Sequence, residues 1–470
     1  MRLLLRLPPA GAALSAALAL SACVDLAPAY QRPEAPVAAA WPAAPASAPA
    51  PTPARDATDI GWRDFLVDDR LRRVVELALA NNRDLRIAVL NVENARAQYR
   101  VQDAARFPHV GASAGFTRSS AGGVAGNSTS VGVALSGYEI DLFGRVKNTS
   151  DAALQSYLGT TEGARTARIT LVAAVATQWL ALAADAETQR LNERTLALDA
   201  KSLDLNQRMH ELGAIKGLPV VQAQAAVEAT RGTLAAGRAT LQQDRNALAL
   251  LVGHEVPEGL LPVQALPAEA SVLVDVPAGL PARVLQQRPD VLSAEHSLQA
   301  AQLDIGAARA AFFPSITLTG SAGTASVGLS GLFKSGSGSW SFGPSISLPI
   351  FDGGALQAGL DSARAQREIA LATYDKSVQT AFSEVADALA VRATLAERIA
   401  AQQAQVRASE TALRYADALF RNGASSYLEV LDAQRSLFGA QQAAIALALA
   451  EQDNRITLYK ALGGGWKESN

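Results

Sequence analysis

The chain of 470 residues holds one cysteine, two methionines and four histidines, so it is poor in the side chains that most often carry chemistry. With Cys23 alone, no intramolecular disulfide can form. Two methionines make no cluster for a soft metal. His109, His210, His254 and His296 are scattered without ligand spacing, and no second histidine follows His254-Glu255 in metalloprotease register. Gly331-Leu332-Phe333-Lys334-Ser335 ends like a phosphate loop, but Phe333 stands where that loop needs glycine. Charge of one sign is missing too. Lys+Arg 42 against Asp+Glu 44 leaves −2, which is no footprint for nucleic acid. The chain therefore reads as a non-enzyme with no metal site and no cofactor. Beyond the N-terminus no run of 18 consecutive apolar residues occurs, so no transmembrane helix is expected and any membrane span must be made of strands.

The N-terminus reads as a targeting segment. Arg2 and Arg6 precede an apolar run through Leu20, and the run closes in Leu20-Ser21-Ala22-Cys23. This is the pattern of a bacterial secretory signal, residues 1–22, too short for a membrane span. A lone cysteine is usually a buried apolar residue. At this place it reads as the lipobox cysteine, lipidated and becoming the mature N-terminus. Val24 rather than Asp follows it, as in lipoproteins released to the outer membrane. Residues 23–60 read as a tether, since eight of the 21 prolines fall between Pro28 and Pro53 among alanines. Such a segment favours extended conformations and builds no core of its own.

Proline is absent from His109 to Leu218 and again after Pro349. Long helices fill these gaps. Leu371, Val378, Val385, Arg392, Ile399, Val406, Leu413 and Phe420 recur seven apart, as do Leu191, Leu198, Leu205 and Leu212, which marks coiled-coil seams. A helix from Ala355 to Phe420 would be roughly 100 Å long at about 1.5 Å per residue. The chain also repeats itself. Arg106-Phe107-Pro108 matches Phe312-Phe313-Pro314, Phe143 matches Phe351, and Leu212-Gly213 matches Asn422-Gly423, at offsets of 206, 208 and 210. Two diverged copies, 61–255 and 288–465, are each expected to run helix, strand, loop, strand, long helix, turn, long helix. A linker at 256–287 joins them and 466–470 forms a tail.

The expected strands are two-faced. From Ser339 to Ile350, Trp340, Phe342, Pro344, Ile346, Leu348 and Ile350 share one side and small residues or proline the other, and Ser315–Gly320 and Ser130–Ser136 alternate likewise. One reading is a half-buried sheet. The other is transmembrane hairpins, with Ser119–Ser128 and Gly323–Ser339 as polar surface loops. Four strands cannot close a barrel, and lipid tolerates no open edge. Strands that span would need several identical chains.

The lipobox, Trp62-Arg63-Asp64-Phe65, Tyr138 to Arg145, Arg288-Pro289-Asp290, Ala308 to Pro314 and Pro349-Ile350-Phe351-Asp352-Gly353-Gly354 together resemble the outer-membrane factor family. The likeness is to its lipoprotein branch, the NodT subfamily of TolC/OprM-like channels of resistance-nodulation-division (RND) efflux, and it runs from Cys23 to Trp466. It implies a mainly α protein with a small membrane β part. A homotrimer would form a twelve-stranded β-barrel, four strands per chain, on a periplasmic α-helical barrel, with an equatorial belt from 256–287 and both termini. It further implies a passive exit channel of a tripartite system in the outer membrane, lipid-anchored and reaching into the periplasm. Its partners would be a periplasmic adaptor (membrane fusion protein), an inner-membrane RND pump and outer-membrane lipid. An exit duct for type I protein secretion, a metal exporter and a non-conducting coiled-coil lipoprotein remain as alternatives.

Glu429 and Asp432 lie three apart just beyond the Asn422-Gly423 turn, a spacing that puts both on one helix face. By itself that is a solvated surface. The resemblance assigns them to the channel constriction, where a trimer would gather six carboxylates. At the same alignment the first copy has Pro219 and Gln222. The resemblance also assigns Leu212, Gly213, Ala214, Asn422, Gly423 and Ala424 to tips that meet the adaptor, although glycine at a helix end needs no such reason.

Overall fold

A computed structural model describes residues 25–38, 41, 60–262, 273–274 and 282–464. The expected signal at 1–22, Cys23, most of the tether, 263–272 and 275–281 of the linker, and the tail lie outside the described residues. The elements are α1 (Trp62–Phe65), α2 (Asp69–Asn81), α3 (Arg83–Ala104), β1 (Val110–Ala121), β2 (Val124–Ile140), α4 (Arg145–Glu211) and α5 (Gly217–Val252) in the first copy. The second copy has α6 (Pro289–Ala310), β3 (Ser315–Ser326), β4 (Gly338–Ser347), α7 (Ala355–Arg421) and α8 (Tyr427–Ala461). The protein is mainly α-helical with one sheet, and the order of elements repeats as the sequence implied. The described residues fall into two compact units, one drawn from the ranges 1–35, 90–162 and 292–377, the other from 36–89, 163–291 and 378–470.

The first unit holds the sheet, antiparallel throughout in the order β1-β2-β3-β4. The loop expected at Ser119–Ser128 is strand instead, with Ser119 opposite Gly126 and Arg118 opposite Asn127. Gly122 and Gly123, at φ 60° and 81°, make a two-residue turn in the left-handed conformation that a tight hairpin requires. Polar side chains pair across strands as readily as apolar ones, so polarity misplaced the boundary. The loop expected at Gly323–Ser339 shrinks likewise, since β3 continues to Ser326 and β4 begins at Gly338. At the other end, β4 stops at Ser347, two residues before Pro349, which has no N–H for a ladder.

Residues 25–32, within the segment expected as a bare tether, are docked in this unit. The carboxylate of Asp25 receives hydrogen bonds from Lys147 (2.6 Å), Asn148 (3.0 Å) and the Ala27 amide (3.0 Å). Burial acts to raise that carboxyl, but these bonds outweigh it and hold it at about 2. Gln302 donates to the carbonyls of Pro28 (3.0 Å) and Ala29 (2.9 Å), and Arg309 to that of Leu26 (3.1 Å). Tyr30 (2.8 Å) and Arg32 (2.9 Å) both donate to Glu295. An extended strap has free carbonyls, for which α6 supplies donors, and Tyr30 packs against the cluster of Leu298, Ala301 and Ala370.

The second unit is helical. Trp62, Phe65 and Leu66 are buried, with Tyr459 stacked on Phe65 at 3.9 Å and donating to the Ile60 carbonyl at 2.6 Å. Among the described residues α4 alone is long and apolar enough to cross a membrane by composition. Its apolar stretch is core, because Ile169, Val172, Val175, Ala176, Trp179 and Leu180 are all buried. In α7 the expected seam holds, with Val378, Val385 and Phe420 buried and Ala381, Ala388 and Leu395 filling the intermediate positions. In α4 the seam lies one residue on. Leu198 is 49% exposed and Leu212 stands clear, while Asn192, Asp199 and Asn206 are buried. A helix with 3.6 residues per turn drifts off a seven-residue repeat, which carries the contact from Leu191 onto the next series. Thr230 of α5 donates to Asp199 at 2.7 Å across that seam.

Candidate functional site: the sheet faces and the helical tips

Register divides the sheet into two chemistries. On one face β1 carries Val110, Ala112, Ala114 and Phe116, opposite Leu135, Val133, Val131 and Thr129 of β2. The same face continues through Leu318 and Ala322 of β3 to Ile346, Pro344, Phe342 and Trp340 of β4. A bulge between Leu135 and Tyr138, with Gly137 at φ 58°, keeps Tyr138 and Ile140 on it beside Leu318 and Ile316. The reverse face is polar and small, with Ser113, Thr117, Ser130, Thr317, Thr319, Ser321, Ser341 and Ser345 among glycines. Ser321 and Ser341 join hydroxyls at 2.8 Å, and Thr319 donates to the Gly343 carbonyl at 3.0 Å.

The apolar face is left uncovered, as the polar one is. Trp340 is 81% accessible, and Val110, Phe116, Phe342 and Ile346 are open as well. A half-buried sheet of a water-soluble protein turns that face inward. Exposed apolar residues alternating with polar ones along strands of 10–17 residues fit the wall of a barrel in lipid around a wet lumen. Of the two readings left open by the alternation, the geometry takes the second. Among the described residues the sheet ends at β1 and β4, both without a further strand.

At the other functional region the two helix hairpins turn by the same device. Ala214 donates to the Met209 carbonyl (2.8 Å) and Gly213 to that of His210 (2.9 Å); Ala424 donates to Leu419 (2.9 Å) and Gly423 to Phe420 (2.9 Å). With Gly213 at φ 73° and Gly423 at 70°, each is a Schellman end, which satisfies last-turn carbonyls and requires glycine. Leu212, Gly213, Ala214, Asn422, Gly423 and Ala424 are all exposed. Beneath them Ala223, Phe420, Tyr427, Val430 and Leu431 form a core with Leu205, Met209 and Leu413 packed against it.

That core fixes the acidic pair. From the first turns of α8, Tyr427, Val430 and Leu431 point inward, leaving Glu429 and Asp432 together on the exposed side. The structure thus brings the pair close in sequence to the Asn422-Gly423-Ala424 turn, on one face as the spacing required. Among the described residues no three His, Cys, Asp or Glu side chains converge as a metal would need. Sequence reasoning missed the Asp25–Arg32 strap and the open face of α3. The apolar residues Leu90, Ala97 and Val101, at spacings of seven and four, could have signalled the latter.

A helical protein whose sheet is greasy on one face and hydroxyl-lined on the other, with the greasy face uncovered, belongs to the class of membrane pore subunits. Comparison with known proteins narrows the class. The model of the outer membrane efflux protein family matches residues 74–254 and 280–464. The chain is 44% identical over 460 residues to the probable efflux pump outer membrane protein TtgC of Pseudomonas putida, covering 96% of this chain and 94% of that one. It is 42% identical over 458 residues to the cation efflux system protein CusC of Escherichia coli, covering 96% and 98%. Its fold matches the open state of the MtrE outer membrane channel of Neisseria gonorrhoeae with a TM-score of 0.84 at 38% identity, covering 94% and 99%. The chain belongs to the outer membrane efflux protein family.

Proposed function

We propose that three copies of this chain form a passive exit channel of a tripartite efflux system, carrying small molecules from the periplasm or an inner-membrane pump to the exterior. One observation carries the reading: a four-stranded sheet with an uncovered apolar face and, among the described residues, two unpaired edges, which lipid does not tolerate unless copies close it. Three chains supply twelve strands. The same axis gathers the long helix pairs into a tube.

The remaining roles follow from that assembly. Cys23 carries the lipid, close in sequence to a strap whose docking begins at Asp25. The exposed hairpin tips, Leu212-Gly213-Ala214 and Asn422-Gly423-Ala424, meet a periplasmic adaptor. Glu429 and Asp432 line the constriction. As a passive duct the channel leaves the energy-consuming step to the partner pump. Relatives of nearly equal identity carry different names, one for cation efflux, which supports cargo selection by the pump rather than by the duct.

Native mass measurement and planar-bilayer recording of the detergent-purified protein test the reading together. A mass of three chains and discrete ion-conducting steps are expected. A monomer that inserts without conducting would overturn it.

A further inference from the structure

Both hairpin turns of the sheet lie at the end away from the helices, and that end carries charge of one sign. No Asp or Glu occurs from Val110 to Gly137 or from Ser315 to Phe351, and the only Lys or Arg in those stretches are Arg118 and Lys334. Among the described residues neither forms an ion pair. The acids of this region stand at the helix end and are engaged there. Glu139 accepts from Arg145 at 2.8 Å, and Asp352 accepts from the Leu356 amide at 2.6 Å.

Register and folding put both cations beside the apolar face. Arg118 continues the series Val110, Ala112, Ala114 and Phe116 and stands opposite Asn127. The β3–β4 connection folds back onto the same face. Ser326 shares that face with Phe116, through Thr129 between them. The Gly328 amide donates to the Ser326 hydroxyl at 3.3 Å, Ser326 donates to the Gly328 carbonyl, and a Cβ on Gly331 would lie 3.0 Å from that hydroxyl. Thr129 is accordingly 6% exposed and Leu332 4%, although Phe116 and Val131 next to Thr129 are open. Ser337 fixes the connection: its hydroxyl lies 2.8 Å from the Leu332 and Lys334 carbonyls, and its own carbonyl accepts from the Ala325 amide at 2.9 Å. What this built loop turns outward is Val327, Leu329 and Phe333, all widely exposed, with Lys334 beside them.

Apolar side chains next to an unpaired cation, at the rim of a lipid-facing wall, suit the boundary between acyl chains and headgroups. Guanidinium and ammonium groups hold phosphate oxygens by charge-assisted hydrogen bonds. We propose that Arg118 and Lys334, with Val327, Leu329 and Phe333, form a docking surface for a phosphorylated acyl lipid of the outer leaflet. Charge complementarity selects this occupant, since neither hairpin holds an acid to compete for the cations. A zwitterionic headgroup brings a cation of its own and fits less well. The proposal rests on the membrane reading above and adds the class of lipid that the rim recognises.

Titration of the full-length protein in detergent with lipid A, a doubly phosphorylated glycolipid, read by native mass spectrometry, tests the surface. Arg118→Gln/Lys334→Gln should bind lipid A about tenfold more weakly than the native protein. Lys334→Gln alone, a change on an exposed loop, should lose part of that affinity. Lys201→Gln, which removes an exposed cation from α4, should bind as the native protein does. Lipid A stripped of its phosphates, and phosphatidylcholine, should not distinguish native protein from the double variant. Equal lipid A binding by the two, in protein that still conducts in planar bilayers, overturns the surface and leaves the channel standing. Displacement by inorganic phosphate, but not by chloride at the same ionic strength, would assign the cations to a free anion and overturn it as well. Native protein that neither assembles nor conducts overturns both readings.

Discussion

Arg288 reaches the carboxylate of Glu384 at 2.8 Å while its own side chain is only 7% exposed. The guanidinium also forks onto Asp290 (3.0 and 2.7 Å) and donates to the Ala461 carbonyl at 2.6 Å, tying the start of α6 to the end of α8. Glu384 is 43% exposed, so the two partners are not equivalent. Arg288→Met keeps the bulk and removes every donor from a buried hub, for a loss of about 3 kcal/mol. Glu384→Gln removes a half-solvated partner and should cost under about 1 kcal/mol. Thermal midpoints by circular dichroism check the order; equal losses would contradict a hub held by Arg288.

The same asymmetry explains what the sequence disclosed. A long stretch without proline and one apolar residue per heptad located α7 to within a residue of its end, because length and period are local properties. The copies were legible through Phe107-Pro108, Phe143 and the tip glycines, each at a bend that only a few residue types permit. The seam of α4 was not legible, since Leu198 and Asp199 are adjacent and only the packing of α5, with Thr230 on Asp199, selects between them. Polar strand ends such as Ser119 and Arg118 read as loop because their partners, Gly126 and Asn127, lie across a turn that had to be known first. The docked strap escaped for a similar reason: Gln302 and Arg309, which hold it, are more than 270 residues away. For the candidate site, spacing alone put Glu429 and Asp432 on one exposed face, and nothing local says what they face across an axis.

A pair of acids between α4 and α5 makes stability depend on pH. Burial, and then the hydrogen bond with Asp244, push the Asp185 carboxyl up to about 7 from an ordinary 3.8. Gln178 of α4 donates to Asp244 at 3.1 Å. The folded state thus keeps a proton that the unfolded chain releases between about pH 4 and 7. Stability from this pair is complete at the acid end, falls as pH rises through that window and levels off above about 7. Asp185→Asn keeps a neutral donor facing Asp244 and removes the titration. Its thermal midpoint should lose the part of the pH 4.5–8 slope that this pair contributes to the native protein. An undiminished slope in the variant would assign the pH dependence to other groups.

Glu429→Gln/Asp432→Asn separates a lumen-lining role from a solvated helix face. Both side chains are exposed, and the core beneath them is built from Tyr427, Val430 and Leu431, so the double variant should fold and assemble as the native protein does. Three chains carry six of these carboxylates, and no counterpart comes from the first hairpin, where Pro219 and Gln222 take the positions. A narrow ring of like charge raises the local concentration of cations and excludes anions. In a bilayer with a salt gradient, the native channel should therefore reverse on the cation side of zero, and the double variant should move close to zero with channel opening intact. The shift should shrink at high salt, where exposed charges are screened. A reversal potential that the double variant leaves unmoved would place the acids on the outer surface of the tube, where six carboxylates have no lumen to guard.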